Sequence, residues 1–62
     1  MMCETHVYSR INGKEELMME NAIKIKIEGK KLSVYGLLGD MKEMEGILKE
    51  IDFVHHKAVV ES

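Results

Sequence analysis

The stretch Ile23-Lys24-Ile25-Lys26-Ile27-Glu28-Gly29-Lys30-Lys31-Leu32-Ser33-Val34-Tyr35 decides the fold class. Isoleucine alternates with a charged residue three times, and successive side chains on an extended chain point to opposite faces. The period of two with β-branched residues predicts a half-buried strand, isoleucines inward and charges outward. Gly29-Lys30 turns the chain, and Leu32 and Val34 then alternate with Lys31, Ser33 and Tyr35 as the partner strand of a hairpin.

Upstream, Thr5 to Ile11 is β-prone and ends at Asn12-Gly13, the strongest short hairpin signal because both residues accept positive φ. Glu15 to Met19 is the expected return strand. Downstream, the residues leave two readings open. Met41, Met44, Ile47, Leu48 and Ile51 fall near helical spacing, and Asp40 with Glu43 fits a capping box. Taken alone this segment favours helix, although Gly46 inside it would cost about 1 kcal/mol relative to Ala. Four short strands with regular turns before it point instead to a continuing meander. Ile51, Phe53 and Val54 then lead into His55-His56, and Ala58, Val59 and Val60 follow, a last hairpin with the histidines in its turn. The expected architecture is all-β: one domain over residues 1–62, either a small curled sheet or an SH3-like or Sm-like barrel of short antiparallel strands, which closes its own edges.

Size and composition narrow the function. Sixty-two residues bury little surface, so the core needs a staple. One cysteine makes no internal disulfide, and without a CxxC pair a closed zinc site lacks ligands. A homodimer is the remaining economical solution. With 9 basic and 11 acidic residues the net charge is −2, which does not favour a nucleic-acid backbone as the main partner. No apolar run reaches transmembrane length and no leader-like stretch opens the chain, so a cytoplasmic protein without a membrane partner is expected.

Cys3 is the chemical handle. A thiolate beside an α-amine and intervening amide nitrogens is a compact chelator for a thiophilic divalent metal. His6, at Cys-x-x-His spacing, is a further candidate ligand, although a surface histidine is the plainer reading. His55 and His56 are adjacent, so on an extended chain they face opposite ways, and a polar turn is expected of them. The six methionines are not gathered and read as core filling. Lys24, Lys26, Lys30 and Lys31 form the best local argument for RNA, but Glu28 lies among them and only Tyr8, Tyr35 and Phe53 offer stacking surface. Cys3 as a nucleophile, with the amine or His6 as base, has no oxyanion-hole or phosphate-loop motif beside it, so no enzyme is expected.

Cys3-Glu4, Val7-Tyr8, Glu20-Asn21-Ala22, Glu28-Gly29, the run from Leu37-Leu38-Gly39-Asp40 to Glu45-Gly46, and that from Ile51-Asp52 to His56-Lys57 together resemble the CooT family of small nickel-binding proteins. The resemblance implies a dimeric, mostly β protein that binds Ni(II) through the N-terminal cysteine. It implies a carrier or chaperone role in carbon monoxide dehydrogenase maturation, or for another nickel-enzyme client. It also assigns Met41 to Asp52 to strand. Many relatives are known only as candidate RNA-binding proteins, so a small RNA-binding or protein-interaction module without a metal is the alternative. The family begins Met-Cys, whereas this chain begins Met1-Met2-Cys3. With Met2 as the start and removed, amine and thiolate of Cys3 form a five-membered chelate. With Met1 retained, the backbone nitrogens of Met2 and Cys3 join the thiolate in a square plane, a geometry Ni(II) favours.

Overall fold

The computed structural model describes residues 4–62. They form six strands: β1 Thr5–Ile11, β2 Lys14–Glu28, β3 Lys31–Gly36, β4 Met41–Glu45, β5 Ile47–Asp52 and β6 Lys57–Glu61. All belong to one sheet in the order β4-β3-β2-β1-β6-β5. Met41 to Asp52 is therefore strand, divided at Gly46, and not helix.

The all-β expectation holds, with three corrections. First, the pairing is mixed: β1 and β6 run parallel, with Val7 opposite Ala58 and Ser9 opposite Val60. A parallel pair requires a long crossover, and here strands β2 to β5 provide it. Second, Glu15–Met19 and Ile23–Ile27 are two halves of the single strand β2. Its first half pairs with β1 and its second with β3, and the two partnerships meet at Ala22, opposite both Thr5 and Gly36. Extra residues in β2 between Met19 and Ala22, at Met18 and at Ile23 break the register, and Asn21 takes φ of 55°. Such bulges bend a strand and raise its twist, so the sheet curls. Third, the curl does not close into a barrel. The edge strands β4 and β5 are separated only by Gly46, from which they diverge, so no ladder joins them.

Gly46 draws the two edges together at one point. Its N–H donates to the Lys30 carbonyl at 2.9 Å, in the β2–β3 turn. On its other side, a Cβ added there would lie 2.8 Å from both the Glu61 carbonyl oxygen and Val60 Cγ1. Only glycine lets the chain pass that close to β6.

Inside the curl lie Val7, Met19, Ala22, Leu32, Val34, Ala58 and Val60, with Ile25, Met44 and Leu48 packed against them. Each fully buried Val or Leu contributes about 1.5–3 kcal/mol. The isoleucine pattern is only partly realised. Ile25 and Ile27 lie opposite Val34 and Leu32 and so share the core face, but Ile27 is 54% exposed near the strand end. Ile23, the extra residue of a bulge, is 56% exposed. Core filling describes Met19 and Met44, whereas Met41 is exposed.

Candidate functional site

The start of β1, the bend of β2, the end of β5 and the start of β6 meet along one rim of the sheet. The His6 N–H donates to the His56 carbonyl at 2.8 Å, tying β1 to the β5–β6 turn. The Asn21 N–H donates to His6 Nδ1 at 3.3 Å, tying β1 to the β2 bulge. All three histidines thus lie on the rim, two of them brought there from 49 or more residues away in the chain only by the parallel β1–β6 pairing.

Cys3 and the Met2 nitrogen, the first candidate ligands, lie outside the described residues. His6 is described, and its ring meets the backbone of the β2 bulge. A backbone N–H can only donate, so Nδ1 must accept, and the neutral ring then carries its hydrogen on Nε2.

The turn at the end of β5 is organised by Asp52. Its Oδ1 accepts the N–H groups of Val54 (3.0 Å) and His55 (3.1 Å), and Oδ2 lies 2.8 Å from His55 Nδ1. The side-chain bond from His55, with backbone bonds adding to it, holds the Asp52 carboxyl below its ordinary value. An Asp closing such a turn is a local device readable from residue order; its grip on the histidine ring is not. His56 completes the turn with φ of 54°. Among the described residues, no three His, Cys, Asp or Glu side chains gather to hold a metal ion.

Beside the turn lies an open groove of about 300 Å³, whose lining is mostly apolar and includes Ile23, Ile25, Ile51, Phe53 and Ala58. Phe53 and Val54 are 81% and 82% exposed. Side chains of this size left in water mark an interaction surface when they adjoin one another.

The lysine ridge is not a basic face. Lys24 sits over the Tyr35 ring at 5.2 Å, Lys26 is opposite Ser33 and Lys31 opposite Glu28. Glu43 and Glu45 follow on the same face, opposite Ser33 and Lys31. Alternating signs leave little attraction for a phosphate backbone. A second polar network crosses the outer face, where Glu15 accepts from Lys57 (2.7 Å) and Arg10 (3.0 Å), with Glu50 at 3.8 Å from Arg10. These bonds, Lys57 first, hold the Glu15 carboxyl below its ordinary value and raise Lys57 in return. The network ties β1, β2, β5 and β6 together. No helix in the described residues is long and apolar enough to cross a membrane.

Fold and rim define a small curled β-sheet domain with an apolar mouth. Comparison with known proteins makes this specific. Residues 2–61 match the family described as CO dehydrogenase accessory protein CooT, and the chain belongs to that family. An uncharacterized protein of Archaeoglobus fulgidus is 40% identical over 43 residues, covering 69% of this chain and 96% of the relative. Another, MJ1551 of Methanocaldococcus jannaschii, is 37% identical over 60 residues, covering 97% and 98%. The crystal structure of a CooT candidate from Carboxydothermus hydrogenoformans superposes with a TM-score of 0.87 at 25% identity, covering 95% of both chains. CooT proteins are accessory proteins and not enzymes, which agrees with the reading of the residues.

Proposed function

We propose that this chain carries Ni(II) as cargo for CO dehydrogenase or another nickel enzyme, holding the ion through Cys3. The observation that carries the reading is the family match, which spans residues 2–61 and includes the only thiol in the chain. CO dehydrogenase belongs to a nickel enzyme system, so an accessory protein with one thiophilic donor set near its start fits delivery of that metal. Backbone nitrogens, that of Met2 among them, complete the donor set beside the Cys3 thiolate.

The protein acts as a homodimer in this reading. Ile23, Ile51, Phe53 and Val54 supply exposed apolar surface on the rim where β1 starts. A second copy covering it would bring the two chain starts together, so that one ion is shared by two thiolates. Binding releases the thiol proton, so affinity falls at low pH.

The test is a Ni(II) titration of tag-free protein, read by the thiolate-to-metal charge-transfer band. Cys3→Ala abolishes the band; a mutant that binds equally well ends the proposal. Native mass spectrometry reads the stoichiometry, and one nickel per protomer would count against a shared ion.

A further inference from the structure

β4 and β5 are the two edges of the sheet, and among the described residues each leaves one side of its backbone without a strand partner. Such a row of free N–H and C=O groups is a template for another strand. We propose that the β5 edge pairs antiparallel with the β5 edge of a second copy, about a two-fold axis between Lys49 and Glu50. This contact is separate from the rim contact proposed above and does not rest on it, because antiparallel pairing points the two rims in opposite directions.

The charge order of β5 carries the proposal. About that axis Lys49 meets Glu50 of the second copy, and Leu48 meets its Ile51. A two-fold contact makes each pair twice. Opposed residues in an antiparallel pair share a face. A straight strand would fail this condition, since Leu48 and Ile51 are three residues apart, and the bulge corrects it. Lys49 is the extra residue of β5 against β6, so Leu48 opposite Val60 and Ile51 opposite Ala58 both lie on the core face. Ile47 opposite Glu61, Glu50 opposite Val59 and Asp52 opposite Lys57 lie on the outer face. Lys49 Nζ, 3.9 Å from the Glu61 carboxylate, points there too. From Ile47 to Asp52 the faces therefore read outer, core, outer, outer, core, outer, a palindrome centred on the axis.

β4 lacks this property. Centred on Lys42, Glu43 or Met44, its self-pairing opposes Lys42 to Lys42, Glu43 to Glu43, or Glu43 to Glu45, and like charges directly opposite destabilise a pair. On β5 the lysine and the bulge are the usual guards of an edge against unrelated strands; a copy of β5 meets both in register. Lys49 and Glu50 are free to re-pair, since they lie 3.9 Å from Glu61 and 3.8 Å from Arg10 at the exposed surface, where such ion pairs are weak. The axis lies about 10 Å along β5 from Gly46, beyond the point where β4 approaches. So short a contact is weak, and it forms as protein concentration rises.

The experiment is sedimentation equilibrium of the full chain from about 10 µM to 1 mM, the range in which a small interface associates. The mass is expected to double over that found at the dilute end. The dilute mass itself reports the rim contact, so the two readings fail separately. Lys49→Glu and Glu50→Lys each set like charges opposite one another twice, and each raises the concentration needed for doubling about 10-fold or more. The combined Lys49→Glu/Glu50→Lys variant restores opposite charges across the axis, and doubling returns near the parental concentration. An equimolar mixture of the two single variants does the same. Repulsion within the chain, from Glu61 and Arg10, is greatest in the combined variant, so its rescue comes from the second copy. Circular dichroism checks the fold of each variant. A parent that never doubles overturns the proposal. So do single variants that double like the parent, or a combined variant as impaired as the single ones.

Discussion

Substituting Gly46 by alanine separates two accounts of this chain by sign. Were Met41 to Ile51 a helix, alanine would stabilise it by about 1 kcal/mol, since glycine is the poorer helix former. In the curled sheet the added Cβ meets the Glu61 carbonyl oxygen and Val60 Cγ1, each at 2.8 Å, and backbone cannot swing aside as a long side chain would. Gly46 also has φ of 156°, at the limit of the region that disfavours L side chains. Overpacking of this kind costs about 1–3 kcal/mol, and an unfavourable backbone about 1–3 more. A loss of about 2–6 kcal/mol follows, and in a domain of this size each kcal/mol moves Tm by about 4–8 °C. Thermal unfolding by circular dichroism should therefore show Tm lower by at least about 8 °C. Gly13→Ala is the control, because Gly13 has φ of 80° but nothing within 4 Å of an added Cβ. Protein concentration is held constant between variants, since self-association makes Tm depend on concentration. An unchanged or raised Tm in Gly46→Ala, or a loss no larger than that of Gly13→Ala, would refute the close passage of the chain at Gly46.

Three more outcomes are expected. Leu32, 1% exposed in the core, costs about 2–5 kcal/mol when cut to alanine, read as a lower urea midpoint. Glu15 and Asp52 have carboxyls held below their ordinary values of 4.5 and 3.8, so they stabilise the fold above those values and lose that contribution as pH falls through the lower folded ones. Glu15→Gln should flatten the fall of Tm between pH 5 and 2 relative to the parent, and an unaltered slope would show that Lys57 and Arg10 do not select the charged form. Finally, in the rim dimer proposed above, Phe53→Asp with Val54→Asp should give monomer in light scattering while circular dichroism keeps the β-sheet signal, because both side chains are more than four-fifths exposed; a persistent dimer would place the interface elsewhere.

Much of the secondary structure was legible because it is written within a few residues. Asn12-Gly13 takes φ of 54° and 80°, as its residue types allow, and Lys31 to Tyr35 pairs with Lys24 to Glu28 as the alternation indicates. The near-helical spacing of Met41, Met44, Ile47, Leu48 and Ile51 is the misleading pattern, and Gly46, which speaks against a helix, marks the close approach in the bent chain. The Ile23-Ile25-Ile27 run was legible in type but not in burial. A bulge at Ile23 shifts the pattern, and bulges leave no mark in an alternating run. The rim histidines divide in the same way. His6 attracted notice through its spacing from Cys3, yet its ring is occupied by Asn21, fifteen residues on. His55 reads as half of a polar turn, and its ring is oriented by Asp52 three residues back.

By itself, the sequence determined that the chain is all-β, where its hairpins turn, that a single thiol stands near its start, and which family it resembles. Each of these rests on local backbone preference, side-chain alternation or residue identity. Only the tertiary structure decided that β1 lies parallel to β6, that β2 is one bent strand serving two partners, that the sheet stays open, and that the His6 ring meets the Asn21 N–H. Those outcomes depend on which distant backbone meets which, and on how far bulges bend the sheet. No pattern within a few residues carries that information, because strand pairing is set by closure of the whole curl around its core.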